Sequence, residues 1–425
     1  MNKKPRGVVS VGFDLIKKYP KIFHNFYKTP FYNDEPKIFQ YNVAFLENGF
    51  HSEFAIATGT SFSKEIALQK LFGELVERYS LSINPRNLLT GRFKKGGEML
   101  DPLQFLSFSE SQLQVMKVKK GDYLSASYSW VEAQDAYSNH KFFLPAQLIY
   151  VPYKRGGFEP YLDFGTSSGA ACGATFGDAI YAGACELIER DSFLITYLNK
   201  IPCPLIDLRS IDDHDIQDVI GKIERYNLKI YIIETTTDLS IFSVCVIVVD
   251  ETGFGPSVSM GLKAGLEKKP VIIGAMEEAL MTRAWIRDKL MSGDKNKVAK
   301  PNEIETIPER ALYWSGKEKI GDLDFWLNGA SIGLKINRNE RRDLSRILKK
   351  LKSAGIRLYF TEITSNLIEK DTVHVVKVVS PDLQPMYLDE RYKYLGKKRL
   401  YTSPKRMGYK TRRESDLNDI PHPFL

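Results

Sequence analysis

The sequence predicts a mixed α/β fold with α+β character, in which helices pack on mixed β-sheets. Beyond residue 200, segments with helical periodicity alternate with β-branched runs, which is typical of such folds. Residues 242–249 are apolar except for Ser243, as expected of a strand that is buried on both faces. The 425 residues are sufficient for one large domain or two ordinary ones.

The predicted elements divide the chain into three parts. Residues 1–50 are rich in aromatic side chains and turn signals, so we expect an irregular N-terminal segment. Residues 51–410 are expected to form the main domain, and residues 411–425 a tail without regular structure. Within the main domain we predict helices from Ser63, over Phe176–Leu198 and over residues 212–226, 271–290 and 340–354, and strands over residues 229–233, 242–249, 357–363 and 373–379.

Composition argues against several classes of protein. No apolar run approaches the ~18 residues that a membrane-spanning helix needs. The net charge of +8 is concentrated in basic runs near residues 349–352 and 397–413, and no nucleic-acid module accompanies them. The four cysteines lack the Cys-x-x-Cys spacing of zinc or redox sites. We therefore expect a cytoplasmic globular protein that binds neither membranes nor nucleic acid.

An acidic motif, Glu-x-x-Glu-Arg, occurs twice in predicted helices. The first copy contains Glu74 and Glu77, and the second contains Glu186 and Glu189. Residues three apart share a face of a helix, so each copy directs two carboxylates the same way. Converging carboxylates need compensating cations, and Mg2+ is the hard cation that accompanies nucleotide phosphates. The two copies predict a site for a metal-bound nucleoside triphosphate, although the chain has no Walker-type loop.

A third predicted helix carries Glu278 and Arg283. A guanidinium beside a triphosphate would add bidentate, delocalised charge, so Arg283 is a candidate phosphate ligand. The alternative is an ion pair on the helix surface. The acidic motifs also have an alternative interpretation, in which they form solvated helix faces of a basic binding protein.

Together these segments resemble the YcaO family, and within it the SagD-like D component of thiazole/oxazole-forming peptide maturases. The first family motif, a glycine turn followed by Gly-Glu-x-x-Glu-Arg, is similar to residues 59–78. The second, a small-residue loop that leads to Glu-x-x-Glu-Arg-Asp, is similar to residues 167–191. The third, an acidic helix followed by arginine, matches Glu278 and Arg283. Residues 379–386, 395–400 and 421–425 resemble late segments of the family.

The resemblance implies the YcaO fold, in which helices and mixed sheets surround an ATP and Mg2+ site without a P-loop. It implies metal ligands and nucleotide contacts, which are Glu74, Glu77, Glu186, Glu189 and Asp178 for Mg2+, and Arg78, Ser167, Arg190, Glu278 and Arg283 for ATP. The chain departs from the family at Thr60, where many members have a lysine, and at Ala174, where an asparagine is common.

The reaction that the resemblance implies is activation of a peptide backbone amide. A Cys, Ser or Thr side chain attacks the preceding carbonyl carbon, the oxygen takes the γ-phosphoryl group of ATP, and phosphate leaves to give a thiazoline or oxazoline. We expect the tail residues Pro421, His422, Pro423 and Leu425 to fold into the site, where the Leu425 carboxylate or His422 accepts protons. The alternative for this segment is a disordered end.

The expected partners are a ribosomally made precursor peptide and a separate E1-like C protein that binds its leader. A flavin dehydrogenase is an optional further partner, and we expect a homodimer within the hetero-complex. Two other functions of the same site stay open: thioamide formation with a TfuA-type partner, and a non-catalytic ATP-binding accessory role. The Pro-His-Pro ending favours azoline formation over both.

Overall fold

The computed structural model describes residues 7–46, 55–83, 85, 88–156, 159–292, 300–369 and 372–425. In these ranges the strands are β1 (Phe23–Lys28), β2 (Phe39–Phe45), β3 (Ile56–Ser61), β4 (Leu89–Arg92), β5 (Ser127–Asp135), β6 (Lys141–Pro145), β7 (Ala170–Gly173), β8 (Leu205–Ile206), β9 (Leu228–Glu234), β10 (Phe242–Asp250), β11 (Val258–Gly265), β12 (Ser331–Ile332), β13 (Tyr359–Glu362) and β14 (His374–Val379). The α-helices are α1 (Val8–Lys18), α2 (Lys64–Ser82), α3 (Glu110–Val115), α4 (Lys120–Ser125), α5 (Phe176–Leu198), α6 (His214–Glu224), α7 (Lys268–Met291), α8 (Ile307–Tyr313), α9 (Asp324–Leu327), α10 (Leu344–Ser353) and α11 (Arg399–Arg406). Among the described helices, we find none with both the length and the apolar character needed to cross a bilayer.

Three sheets form the framework. The first has the order β1-β2-β3, the second β4-β5-β13-β14-β7 with β6 beside β5, and the third β11-β10-β9-β8-β12. Strands β8 and β12 pair in parallel, whereas the other named strand pairs of the described chain are antiparallel. This combination of helices with largely antiparallel sheets confirms the predicted fold class.

The N-terminal segment is more regular than we predicted. Residues 8–45 contain α1, β1 and β2, and β2 pairs with β3 from Phe39 opposite Ser61 onward. The ring of Phe13 on α1 lies against Phe72 of α2, with 4.7 Å between centroids. The prediction of an irregular segment is therefore wrong for the described part, because its aromatic side chains pack on α2. The predicted boundary at residue 50 falls outside the described residues.

Helix α5 contacts two of the three sheets. It packs on β14 and β7 of the second sheet and on β11 and β10 of the third. Helix α2 lies on β3 and also contacts β7 and β14, while α7 covers β11 and β10. Helices α2 and α7, which carry the other predicted acidic residues, therefore pack on strands that α5 also contacts.

Two glycines let helices lie unusually close to strands. A Cβ atom at Gly59 of β3 would lie 2.0 Å from the carbonyl oxygen of Ala67, and one at Gly261 of β11 would lie 2.1 Å from that of Ala275. No side chain fits at such distances, so glycine is required at both positions. The close packing fixes α2 and α7 against the sheets and thereby sets the positions of their glutamates.

Most long elements match the sequence prediction. The helix Phe176–Leu198 is confirmed at both ends, and the strands predicted near residues 242–249 and 373–379 are confirmed with small shifts. Strand β11 was not predicted. Its sequence contains Gly261 and Lys263, which interrupt the apolar pattern of a buried strand.

Candidate active site

Helix α2 presents Glu74 and Glu77 on one face. The helix begins after Ser63, whose hydroxyl accepts the Ile66 N–H at 3.4 Å. Apolar residues of the same helix, such as Leu71, are fully buried and hold it against the sheets. Both glutamates are half-buried and are not turned to bulk water. The alternative of a solvated helix face does not fit this placement.

Helix α5 contributes Glu186 and Glu189. The side chain of Glu189 is 2% exposed, and one of its oxygens, Oε2, is buried without a hydrogen-bond partner in the described structure. Glu186 accepts the main-chain N–H of Gly169 at 2.9 Å. Gly169 has a φ of +84°, a conformation that favours glycine, so the small-residue loop before α5 can turn its amide toward this carboxylate.

Helix α7 adds Glu278 to the same cluster. One of its oxygens accepts the Leu262 N–H at 2.7 Å, which fixes the side chain against β11. Its negative charge contributes to raising the pKa of both Glu74 and Glu189, so the three carboxylates are electrostatic neighbours. The structure thus gathers five carboxylates from three helices, and we call Glu74, Glu77, Glu186, Glu189 and Glu278 the acidic cluster.

The pKa values of the acidic cluster reflect its crowding. Burial raises the pKa of Glu74, and it raises the pKa of Glu77 further, where repulsion from Glu186 and Glu74 adds to the effect. Burial also raises the pKa of Glu189 to about 7, against the attraction of Lys263 and Arg190. Ionising these carboxylates is unfavourable in the folded protein, and a cation placed among them would remove that penalty.

Cationic side chains surround the acidic cluster. Arg78 lies 2.7 Å from Glu74. Arg190 lies 3.3 Å from Glu186 and 3.5 Å from Glu189, and the Lys263 ammonium lies 3.8 Å from Glu189. The pairs made by Arg190 and Lys263 are longer than a good hydrogen bond, so these cations are held loosely by their carboxylates.

Lys377 of β14 braces the loop that contains Ser167. Its ammonium donates to the carbonyl oxygens of Thr166 and Ser168, each at 2.7 Å. Burial lowers the pKa of Lys377 to about 8, although nearby carboxylates, with Glu186 the strongest, oppose the shift. Ser167 is therefore held beside the acidic cluster, and its contact with a nucleotide stays a prediction.

The carboxylates of the acidic cluster are suitable ligands for a magnesium ion that binds together with a nucleotide. Among the residues that the structure describes, no three His, Cys, Asp or Glu side chains form a group that could hold a metal ion by themselves. Mg2+, however, is usually bound through one or two carboxylates, with water and phosphate oxygens completing its shell. The Glu189 oxygen that accepts no hydrogen bond and the raised pKa values of Glu77 and Glu189 suit this mode of binding. Glu74, Glu77, Glu186 and Glu189 remain the candidate ligands.

Asp178 has a structural role instead of the predicted metal-supporting one. Its carboxylate accepts the Thr175 hydroxyl at 2.6 Å and the Thr175 N–H at 3.2 Å, which completes a capping box at the start of α5. Asp178 lies eight positions before Glu186, or ~12 Å along the helix axis at 1.5 Å per residue. This separation and its role as a cap place it away from the candidate ligands.

Arg283 also has structural contacts in place of the predicted phosphate contact. Its guanidinium is 4% exposed, pairs with Glu35 and Asp250 at 2.7 Å, and donates to the Pro256 carbonyl at 2.9 Å. Arg287 shares Glu35 and extends this buried ion-pair network. The prediction that Arg283 contacts phosphate is therefore corrected: carboxylates occupy the donors that a phosphate would need. Glu278 of the same helix does reach the acidic cluster.

The C-terminal tail is anchored in the protein interior. The Pro421 carbonyl accepts the Tyr197 hydroxyl at 2.9 Å and the Trp314 indole N–H at 3.0 Å. Pro421, His422 and Pro423 are all buried. The alternative of a disordered end does not hold for this conformation.

The anchored tail leads to the acidic cluster. The ring of Phe424 lies over the Arg190 guanidinium, with 4.2 Å between the Arg190 Cζ atom and the ring centroid. Phe424 is 3% exposed, whereas Leu425 is partly exposed. Arg190 therefore connects the tail to Glu186 and Glu189. The role of Leu425 as proton acceptor stays a prediction.

His422 serves as an anchor. It is fully buried, and its Nε2 donates to the Tyr387 carbonyl at 2.9 Å. Its own carbonyl accepts from Arg310 at 2.9 Å, and burial together with the Arg310 charge lowers the pKa of His422 well below its usual value. A fully enclosed imidazole cannot reach a peptide substrate, and its lowered pKa makes it a weak base, so the predicted role of His422 as a base is corrected.

A sequence profile identifies the family. The profile of the YcaO cyclodehydratases, described as ATP- and Mg2+-binding, matches residues 58–384. The chain belongs to the YcaO family. The matched region contains the whole acidic cluster, and the match confirms the predicted family and, at that level, the predicted cofactors ATP and Mg2+. The SagD-like subtype stays a prediction.

Solved structures share the fold of this YcaO chain. A heterocyclase solved with substrate and cofactor superimposes with a TM-score of 0.77 at 19% identity, over 100% of this chain and 58% of that one. YcaO from Methanopyrus kandleri, bound with AMPPCP and Mg2+, gives 0.63 at 14% identity over 92% and 94%. The E. coli microcin synthetase McbBCD with pro-MccB17 bound gives 0.64 at 16% over 88% and 92%. The chain thus spans little more than half of the heterocyclase.

Two curated relatives are named without a function. An uncharacterised protein of Methanothermobacter thermautotrophicus is 21% identical over 345 residues, which cover 79% of this chain and 83% of the relative. An uncharacterised protein in the tfuA 3′ region of Rhizobium leguminosarum bv. trifolii is 31% identical over 115 residues, or 26% of this chain and 27% of the relative.

Sequence reasoning missed two cations of the site. Lys377 is a charged residue in a strand that is otherwise largely valine, and this contrast was a usable signal. Lys263 lies in β11, which was not predicted, so nothing indicated which way its side chain points.

Proposed function

We propose that the chain is the ATP-dependent cyclodehydratase component that forms thiazoline or oxazoline rings on a ribosomally made precursor peptide. A separate E1-like protein would deliver the peptide. The observation that carries the proposal is the tail residue Phe424 stacked on Arg190, between the anchored Pro-His-Pro segment and the acidic cluster. Membership of the family and the fold shared with a heterocyclase and a microcin synthetase support it.

The proposed reaction replaces an amide by a ring with a C=N bond. The sulfur or oxygen of a Cys, Ser or Thr side chain bonds to the preceding carbonyl carbon. The former carbonyl oxygen receives the γ-phosphoryl group and departs as phosphate, leaving ADP. One proton leaves the attacking group and one leaves the amide nitrogen, so the peptide loses one water for each ring.

The residues of the chain position the reactants and compensate charge. Bound Mg·ATP would supply the phosphoryl group and neutralise the charge that develops on its oxygens. Arg190 is held between Glu186 and Phe424, which keeps a guanidinium at the junction of the acidic cluster and the tail. The Gly169 amide orients Glu186, and Lys377 fixes the loop that presents this amide.

Mass spectrometry tests this function directly. The chain, an E1-like partner and a precursor peptide rich in Cys, Ser and Thr are incubated with Mg·ATP. We expect the peptide to lose one water for each ring while ADP and phosphate accumulate. The matched control is Glu186→Gln, which should bind the partner and peptide but form no rings. A peptide of unchanged mass with the wild-type chain and its cognate partner contradicts the proposal.

A second candidate is thioamide formation, in which sulfide replaces the side-chain nucleophile. The similarity to a Rhizobium protein named for the tfuA 3′ region favours it, although the matched segment covers 26% of this chain. The same mass spectrum separates the two functions. A thioamide exchanges one oxygen for one sulfur and gains mass, whereas ring formation loses water.

A further inference from the structure

Two positions of the site do not provide a cation for a nucleotide's phosphate groups. Arg283 is occupied by carboxylates in a buried network. Thr60 stands in the first glycine turn, and its hydroxyl is buried without a hydrogen-bond partner in the described structure. Neither position supplies a cation, although a triphosphate brings several negative charges to a cluster that is already acidic.

Two of the cations around the acidic cluster are already engaged. The ammonium of Lys377 is buried and donates to two carbonyl oxygens at 2.7 Å. Arg78 pairs with Glu74 at 2.7 Å and donates to the Ile56 carbonyl at 2.9 Å. To bind phosphate, either side chain would have to give up short hydrogen bonds.

The Lys263 ammonium is bound more weakly than that of Lys377 and the guanidinium of Arg78, because its contact is longer. Its ammonium makes a long, 3.8 Å ion pair with Glu189, and its side chain is 49% exposed, so it faces open space beside the acidic cluster. Its carbon chain crosses α7 at Gly274, where a Cβ atom would lie 3.5 Å from Lys263 Cγ and Cδ.

We propose that Lys263 is a phosphate-binding residue of this site, whose ammonium exchanges its long contact with Glu189 for the oxygens of a nucleotide's phosphate tail. This inference rests on the proposed nucleotide site and assigns to β11 a contact that no motif of the sequence indicated. The exchange frees Glu189 for the metal ion.

A phosphate series tests the proposal without any assay of activity. Dissociation constants of AMP, ADP and AMPPCP are measured by calorimetry with Mg2+ for the wild type, Lys263→Met and Lys263→Arg. We expect Lys263→Met to weaken AMPPCP binding about 10-fold or more, as for loss of a charged hydrogen bond, and to leave AMP binding nearly unchanged. Lys263→Arg should restore most of the affinity. The matched control is Lys229→Met on β9, whose lysine pairs with Glu251.

The outcomes are distinguishable. A loss that grows with the number of phosphates supports the contact. An equal loss for AMP and AMPPCP, or no loss, shows that Lys263 only neutralises Glu189 and overturns the inference while nucleotide binding stands. If the folded wild type fails to bind Mg·AMPPCP, the proposed function and the inference fall together. Circular dichroism checks that each variant is folded, and Lys263→Arg preserves the test if Lys263→Met is unstable.

Discussion

The guanidinium of Arg190 lies under the ring of Phe424, with 4.2 Å between its Cζ atom and the ring centroid. Arg190 belongs to the second Glu-x-x-Glu-Arg motif, whereas Phe424 belongs to the C-terminal tail. One contact therefore joins the acidic cluster on α5 to a segment more than two hundred positions away. Displacing the tail should disturb the geometry around Arg190 while leaving the carboxylates in place.

Glu189→Gln should weaken Mg2+-dependent nucleotide binding. The substitution removes a buried carboxylate with an oxygen that accepts no hydrogen bond and is a candidate metal ligand, and we expect at least about a 10-fold loss of affinity. Calorimetric titration with Mg·AMPPCP measures it. Glu224→Gln at the exposed end of α6 is the control and should bind normally. Equal affinities for both variants would remove Glu189 from the site.

Nucleotide binding should strengthen as the pH rises through neutrality. Burial raises the pKa of Glu189 from 4.5 to about 7, so between these values the folded protein holds a proton that the unfolded chain has lost. The contribution of Glu189 to stability is therefore present at low pH and is lost as the pH rises through about 7. A metal ion that needs the ionised carboxylate displaces this proton.

Calorimetry in buffers with different ionisation enthalpies measures the released protons. We expect release near pH 6 to be larger for the wild type than for Glu189→Gln, and affinity to rise from about pH 6 to about pH 8. Identical proton release in the two proteins would contradict the assignment.

Phe424→Ala should abolish most ring formation and spare nucleotide binding. The change removes the ring that covers Arg190 but keeps the anchoring of Pro421 and His422. The readouts are the mass of the peptide product and the affinity for Mg·AMPPCP. Phe164→Ala, which removes a partly exposed ring elsewhere, serves as the control. Full ring formation by Phe424→Ala would exclude the tail from the mechanism.

Arg310→Met should destabilise the fold strongly. Arg310 and Glu390 form a fully buried pair, and Arg310 also donates to the carbonyls of His422 and Leu388. Removing it leaves Glu390 buried without this partner, and we expect a loss of about 3–5 kcal/mol in the free energy of unfolding. Denaturant unfolding measures it. Arg391→Met, which breaks exposed pairs, should cost far less.

Asp178→Ala should affect stability alone. Loss of the capping box at the start of α5 should lower the free energy of unfolding by about 1 kcal/mol, as Thr175→Ala should. The affinity for Mg·AMPPCP should stay at the wild-type value in both variants, in contrast to Glu186→Gln. A nucleotide-binding defect specific to Asp178→Ala would restore the metal-supporting role that the sequence predicted.

Local patterns predicted the elements that carry the acidic cluster. Spacing within α2 and α5 predicts which glutamates share a face, and the small residues before α5 predict a close approach. Partners distant in the chain were not predictable. Arg283 has the position of a phosphate ligand, but Glu35 and Asp250 reach it only through tertiary packing. Likewise, the burial of His422 depends on Arg310 and Tyr387.

The most direct test is a crystal structure with Mn2+ and AMPPCP, in which the anomalous scattering of manganese locates the metal. We predict an anomalous peak between α2 and α5. It should lie within bonding distance of carboxylate oxygens from both Glu-x-x-Glu-Arg motifs and of phosphate oxygens of the nucleotide. A nucleotide bound elsewhere on the molecule, with no metal among Glu74, Glu77, Glu186 and Glu189, would contradict the account.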